Sequence, residues 1–412
     1  MLEKKLVPKL RFAEFEEINY SPIKFGSVIN NSGYGPRFNG NDYDKFGNVK
    51  TIRGTDISLD GEIKYNQVPI ASLDETFIKN HILKDGDLVM ITTADCGLTG
   101  VFREQNISYI PSAYAVKISL KEIASPIYFK YFFQTTIAKN QINKFIRKAT
   151  VANLPGSDIP KLKINFPSLP EQQKIASFLT EVDTKLSQLT KKKAILENYK
   201  KVVMQQIFSQ QLRFKDGNGN DYGDWEEKSL KQLLKSYKLG GNYSNSDKIT
   251  DRPLIKMGNL GRGNIITYKV QYIYDTEVVD ENDIIKKGDL FFNTRNTLDL
   301  VGKVAIWKNE LPLAYYNSNL MRLGFNNNYF MNYRLNSNEG IKGLKRYATG
   351  TTSVAAIYTK DFLKLKLLVP CTEEQNKIAN FLSDLDAKIE VLSTSIENTQ
   401  TFKKGLLQQL FV

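Results

Sequence analysis

Basic, hydroxyl and amide side chains gather in short, mostly glycine-bearing stretches of this 412-residue chain. In the first half these are Tyr34 and Arg37 in "NNSGYGPRF" (30–38), Arg53 and Thr55 in "TIRGTD" (51–56), Thr92 and Thr93 in "TTADCGLTG" (92–100), and Arg147, Lys148, Thr150 and Asn153 in "RKATVANLPG" (147–156). The second half has Tyr243 in "YKLGGNYS" (237–244), Lys256, Asn259 and Arg262 in "IKMGNLGRG" (255–263), Thr294, Arg295 and Asn296 in "NTRNTLD" (293–299), and Lys345, Arg346, Thr349 and Thr351 in "KRYATGTTS" (345–353). Arginine and lysine pair with guanine edges, asparagine with adenine, and hydroxyls with phosphates or bases. Glycine, asparagine and threonine loops are also commonplace as simple turns. Recurrence at corresponding places in both halves is what favours a binding reading. A net charge of +13, from 57 Lys+Arg against 44 Asp+Glu, suits a polyanionic partner, although a solvated basic surface has the same composition.

Catalytic constellations are scarce. His81 is the one histidine, and the aligned segment of the second half, "DENDIIKKGD", has none, so it reads as a satisfied or solvent-facing side chain. No GxxxxGK[ST] loop and no GxGxxG after a strand is present. The Asn-Pro-Pro-aromatic or Asp-Pro-Pro-aromatic tetrapeptide that amino-methyltransferases use is missing. "EIK" (62–64), with Asp56 or Asp60 upstream, has the outline of a nuclease D…ExK set, but its counterpart reads "IIT". Cys96 and Cys371 belong to no Cys/His cluster, which disfavours both disulfides and zinc. No metal ligand is assigned. No apolar run approaches the ~18 residues of a membrane span, and "MLEKKLVPKLRFAEFEEINY" lacks an apolar signal core. A cytoplasmic location is expected.

The elements that must position these loops are written twice. "EQQKIASFL" (171–179) returns as "EQNKIANFL" (374–382), 203 residues later. The register holds across residues 170–209 against 373–412, with fifteen identities in forty positions. Fainter echoes at 202–203 residues join 52–65 to 255–268, 83–93 to 285–295 and 158–167 to 361–370. Apolar steps of three, four and seven predict two long amphipathic helices, the first over about 170–210, that approach a heptad seam. The seam residues are Leu186, Leu189, Leu196, Tyr199 and Val203 in one helix and Ile389, Leu392, Ile396, Phe402 and Leu406 in the other, with polar interruptions at Lys193 and Thr399. Glu171 and Glu374 suit the positive end of a helix dipole.

The expected fold is α+β. Two similar mixed α/β domains are each followed by a long helix, and the helices pair as an antiparallel coiled coil with pseudo-twofold symmetry. The expected division is 1–165 and 216–368 for the globular units and 166–215 and 369–412 for the helices. "PIYFKYFFQTTIAKNQINKFI" (126–146) and "YFMNYRLNSNEGIKGLKRYA" (329–348) are expected to be helical counterparts. "LRF" follows the first helix at 212–214 and also opens the chain at 10–12. Residues 1–15 are therefore expected to pack near residue 412 and complete the second helix, closing a ring.

This pattern resembles the specificity subunit of type I restriction–modification enzymes. The resemblance rests on the two helix openings "LPEQQKIASFL" and "TEEQNKIANFL", on "VPKLRF", and on "GDWEEKSL" (223–230) at the start of the second unit. It implies a non-catalytic reader of double-stranded DNA. Each globular unit would be a target recognition domain for half of a split asymmetric site. The helices would set the gap and dock two modification (methyltransferase) subunits that carry S-adenosylmethionine. Restriction (motor-nuclease) subunits would bring ATP and magnesium, leaving no cofactor on this chain. The competing readings are a coiled-coil adaptor that binds protein and a self-sufficient restriction enzyme.

Overall fold

The computed structural model describes residues 7–148 and 150–412. Residues up to Thr190, together with Thr394–Val412, form one compact unit, and Lys191–Ser393 form another. The first contains β1 (Ser21–Lys24), β2 (Ile29–Tyr34), β3 (Val49–Ile52), β4 (Ile70–Ala71), α1 (Glu75–Ile78), β5 (Leu88–Ile91), β6 (Thr99–Val101), β7 (Ser108–Pro111), β8 (Ala115–Leu120), α2 (Pro126–Phe132), α3 (Thr136–Phe145) and β9 (Lys163–Phe166). The long helix α4 (Leu169–Phe208) runs from this unit into the next. The second contains β10 (Glu226–Ser229), α5 (Leu230–Leu233), β11 (Ser236–Leu239), β12 (Asn245–Ser246), β13 (Pro253–Ile255), β14 (Gln271–Ile273), β15 (Leu290–Asn293), β16 (Arg295–Asn296), β17 (Val304–Ile306), β18 (Tyr315–Tyr316) and β19 (Leu320–Gly324). It continues with α6 (Asn328–Leu335), α7 (Asn338–Arg346), β20 (Thr349–Gly350), β21 (Ala355–Ala356), α8 (Thr359–Phe362), β22 (Lys366–Val369) and the start of α9 (Thr372–Gln409), whose end belongs to the first unit.

The sheets repeat. The order β2-β8-β5-β6 in the first unit answers β11-β19-β15-β17 in the second, and β4-β3-β7 answers β12-β14-β13-β18. A parallel strand pair stands in the same place in each unit, Ile52 opposite Pro111 and Ile255 opposite Tyr316. The central strands β5 and β15 are buried along their whole length. Gly86 (φ 85°) and Gly288 (φ 88°) turn the chain into them through the left-handed region. The stretches expected to be helical are each two helices. Thr135 accepts a hydrogen bond from the Ala138 amide and Ser337 from the Gly340 amide, so each hydroxyl caps a new helix and ends the one before it.

The two repeated motifs meet each other. In the first unit, the Leu10 amide donates to the Gln409 carbonyl (3.0 Å), Arg11 forks onto Glu171 (2.7 and 2.8 Å), and the Phe12 ring lies edge-on to Phe178 (5.9 Å). In the second, the Leu212 amide donates to Gln206 (3.1 Å), Arg213 forks onto Glu374 (3.3 and 2.8 Å), and Phe214 lies edge-on to Phe381 (5.6 Å). Each "LRF" therefore bridges the end of one long helix and the first turns of the other. The N-terminal copy does so from Leu10 to Gln409, and residues 1–6 of the segment expected to pack near residue 412 lie outside the described residues. Glu171 and Glu374 are fully buried and also accept from the Tyr20 hydroxyl (2.8 Å) and the Trp225 indole (3.1 Å). Their role is the buried ion pair, beyond the helix-dipole contribution the sequence suggested.

Within each unit the last turns of one long helix lie against the first turns of the other. Leu406, Leu410 and Phe411 share a core with Ile175, Leu179 and Val182. Val203, Ile207 and Phe208 share another with Ile378, Leu382 and Leu385. The pairing is antiparallel. The less exposed positions follow a strict four–three spacing: 182, 186, 189, 193, 196, 200, 203 and 207, matched by 385, 389, 392, 396, 399, 403, 406 and 410. Two expected seam residues are displaced by this spacing. Tyr199 (49% exposed) and Phe402 (54%) stand outside, one residue or ~100° off the seam. Lys200 and Lys403 occupy their places. Lys403 pairs with Asp183 (2.6 Å) and Lys200 pairs with Asp386. Tyr131 and Tyr333, from α2 and α6, donate to the same carboxylates at 2.8 and 2.7 Å. The two ammonium groups lie 5.5 and 5.2 Å from the centres of those rings. Each globular unit is thus tied to the helices by the same Tyr–Asp–Lys set. The other named seam residues, Leu186, Leu189, Leu196, Ile389, Leu392 and Ile396, are half-buried, while Val203 and Leu406 are buried.

Candidate nucleic-acid interface

Sheet order brings the loops of the first unit to one place. β5 lies between β8 and β6, so the loop after Ile91 falls beside the turn that enters β8. The Thr92 amide donates to the Tyr114 carbonyl (2.9 Å). Thr93 and Arg147 both bridge to Asn153, joining the 92–100 and 147–156 loops. The Tyr34 hydroxyl accepts from the Gly156 amide (2.7 Å), which brings in the end of β2. A cavity of about 780 Å³ opens among these loops, lined by Arg37, Tyr43, Arg53, Thr55, Thr93 and Tyr114, with Thr51 and Ser112 in its wall. Arg37, Arg53, Thr55, Arg147, Lys148, Thr150 and Asn153 are exposed and Thr93 is half-buried. Thr92 is buried, and its hydroxyl donates to the Tyr114 carbonyl (2.9 Å), so it serves the loop itself. Burial raises the Tyr43 hydroxyl above its ordinary pKa. His81 bonds through Nδ1 to the Tyr34 carbonyl (2.9 Å) and so is satisfied.

The second unit builds the corresponding region from β16, β21 and β20, which pair as one small sheet and join the 293–299 loop to the 345–356 segment. Arg295, Lys345, Arg346, Thr349 and Thr351 are exposed there, and Asn296 is half-buried. Thr294 spends its hydroxyl on the Asn319 carbonyl (2.9 Å). Tyr243 donates to Asp283 (2.6 Å), and burial, then that contact, pushes its hydroxyl up to about 12. Asn259 is buried, with its amide on the Ile266 (2.9 Å) and Lys269 (3.2 Å) carbonyls. Lys256 reaches Asn245 (3.1 Å) and Gln271 (2.8 Å). Arg262 is not with the other loops. It lines a hollow of about 500 Å³ with Lys200, Tyr333, Asn336 and Asp386, and burial lowers its pKa.

The carboxylates of the "EIK" outline have partners of their own. Glu62 pairs with Lys130 (2.5 Å), whereas Asp56 is buried and holds Arg53. Among the described residues, no group of three or more His, Cys, Asp and Glu side chains could hold a metal ion. No helix among them is long and apolar enough to cross a membrane.

Two stretches, residues 18–198 and 222–399, match the type I restriction modification DNA specificity domain. The chain belongs to this family of specificity subunits. It is 29% identical over 219 residues to the putative type I restriction enzyme MjaX specificity subunit of Methanocaldococcus jannaschii, a match that spans 51% of each chain, about half of that relative. It is 21% identical over 376 residues to the type I restriction enzyme StySPI specificity subunit of Salmonella potsdam, covering 84% of this chain and 80% of that one. The crystal structure of the type I restriction–modification S subunit from M. genitalium has the same fold, with a TM-score of 0.61 over 99% of both chains at 15% identity.

The sequence missed Thr51, Asp56 and Ser112 as parts of the cavity region. Asp56 stood in the quoted "TIRGTD" and could have been found as the acid three residues after Arg53. Thr51 opens the same stretch but was not singled out, and Ser112 lies in no quoted stretch; the parallel β3–β7 pairing brings them together.

Proposed function

We propose that this chain is the non-catalytic DNA reader of a cytoplasmic restriction–modification complex, with each globular unit recognising one half of a bipartite asymmetric site. Residues 1–165 and 216–368 act as the recognition units, and the helices in 166–215 and 369–412 set the spacing between half-sites and dock two methyltransferase subunits. S-adenosylmethionine belongs to those subunits, and ATP and magnesium to the restriction subunits that join them. The observation that carries this reading is the contrast between frame and loops. The Arg–Glu fork and the Tyr–Asp–Lys set recur in both units. The loop tips differ at matched positions, Arg53 against Lys256 and Thr93 against Arg295. A shared frame with different tips suits two readers of different DNA on one ruler.

The test is an exchange of residues 225–368 for the matching unit of another family member. The chimera is co-expressed with its modification subunit, and methylated adenines are mapped genome-wide. One half of the motif should change while the other half and the gap stay. A change in both halves would overturn the modular reading.

A further inference from the structure

We infer that the cavity of the first unit reads a guanine, with Arg53 as the side chain that contacts the base and Asp56 as the group that aims it. This rests on the reading just proposed and sharpens it to one base in one half-site. The Arg53 Nε and Nη2 groups donate to the Asp56 carboxylate at 3.1 Å each. Asp56 is fully buried and is fixed in turn by the Arg53 amide (2.9 Å) and by Gln67 Nε2 (3.3 Å). This fork occupies one edge of the guanidinium. The Nη1–Nη2 edge keeps two parallel donors, on a side chain 44% exposed at the cavity.

In the major groove, guanine alone offers two adjacent acceptors, N7 and O6. Adenine sets an amino donor against the second N–H, thymine offers one acceptor beside a methyl group, and cytosine offers a donor. The cavity wall adds the hydroxyls of Thr51 (1% exposed) and Ser112 (7%). Both hydroxyls are buried without a hydrogen-bond partner. Buried polar groups are normally paired, so two orphaned hydroxyls in a cavity wall call for an explanation, and a base edge in the cavity supplies one. Either hydroxyl can donate or accept at the edge of the base pair that Arg53 reads.

The second unit has the same turn without the same reader. The Lys256 amide donates to Asn259 (2.9 Å) just as the Arg53 amide donates to Asp56. Lys256 points its ammonium at Asn245 and Gln271, Asn259 carries no charge, and the position of Thr51 holds Leu254, which is fully buried. The Arg53–Asp56 contact with guanine therefore belongs to the half-site of the first unit.

The experiment is methylome mapping of the full chain co-expressed with its modification subunit, as wild type and as Arg53→Lys, Arg53→Gln, Asp56→Asn and Thr51→Val. Arg53→Lys keeps a cation beside Asp56, and lysine also pairs with guanine, so it is the control for folding, while Arg53→Gln removes the guanine contact. The expected wild-type motif has a guanine in one half-site. At that position alone, methylation of sites with another base should rise by roughly 10- to 100-fold relative to guanine sites in Arg53→Gln. Asp56→Asn should relax the same position, whereas a merely structural defect would weaken all sites alike. A guanine preference unmoved by Arg53→Gln, or relaxation at a position that is not guanine, would overturn the inference and leave the bipartite reading standing. A wild-type chain without a two-part motif would sink both.

Discussion

Replacing Glu171 by glutamine keeps the volume of the side chain and removes one charge from the junction of the first unit. Its carboxylate is fully buried and receives two arms of Arg11 and the Tyr20 hydroxyl, all within 2.8 Å. The Arg11 side chain is 6% exposed, so its guanidinium would be left inside without a counter-charge. Breaking a buried pair from one side costs about 3–5 kcal/mol, a large share of the ~5–15 kcal/mol that stabilises a typical domain. For a unit of this size such a loss lowers the melting temperature by roughly 10 °C. The counterpart Glu374→Gln should cost less, because one arm of its fork is longer (3.3 Å) and Arg213 is 20% exposed. Thermal melts of the full chain by far-UV circular dichroism measure both variants. Tryptophan emission separates them, since Trp225 and Trp307 both lie in the second unit and Trp225 itself donates to Glu374. A further variant, Arg11→Met with Glu171→Leu and Tyr20→Phe, removes all the charged and hydroxyl groups together. It should be more stable than Glu171→Gln, because no buried charge is stranded. A Glu171→Gln melt within about 2 °C of wild type would refute this account of the junction, as ~1 kcal/mol shifts a domain of this size by at least that much.

The proposed ruler predicts that seven residues inserted into each long helix, which preserve the four–three seam, widen the methylated gap by about 3 base pairs (~10.5 Å of helix against ~3.4 Å per base pair). Unchanged spacing in the methylome would count against the ruler. A pH prediction follows from Asp280, whose carboxyl is held below its usual range first by the Lys238 ammonium (2.7 Å) and then by the Asn282 amide. A depressed pKa stabilises the fold above the ordinary value of ~3.9 and is lost as pH falls through the lower folded value. Lys238→Met should move the Asp280 midpoint upward in an NMR titration of the full chain, and an unmoved midpoint would contradict the assignment.

The duplicated frame was legible because both copies keep the residues that touch each other. The first helix was expected over about 170–210, and α4 spans Leu169–Phe208. Lys200 and Lys403 were hidden because an aromatic residue precedes each, and an apolar stripe prefers Tyr199 and Phe402 until the spacing is held strictly to four and three. Arg262 was misleading for a local reason. It shares a glycine-bearing loop with Lys256, but Gly263 (φ 87°) follows it and its amide donates to the Val304 carbonyl (2.7 Å), which places Arg262 by the helices. The cavity itself was invisible, because strand order brings together residues that are far apart in the chain.

A seam of apolar residues at four–three spacing has a weakness as a ruler, since its pattern also fits a shift of one heptad, or ~10.5 Å. Polar residues inside such a seam cost stability but fix the register. Lys403 with Asp183 and Lys200 with Asp386 are side chains of this kind. Tyr131 and Tyr333 tie the same carboxylates to the globular units. After a slip of one heptad, both lysines would leave their aspartates and both tyrosines would face an unpaired acid or none. The retention of both sets in two copies that have diverged elsewhere is what the proposed ruler requires: one register, and one placement of each globular unit on its helices.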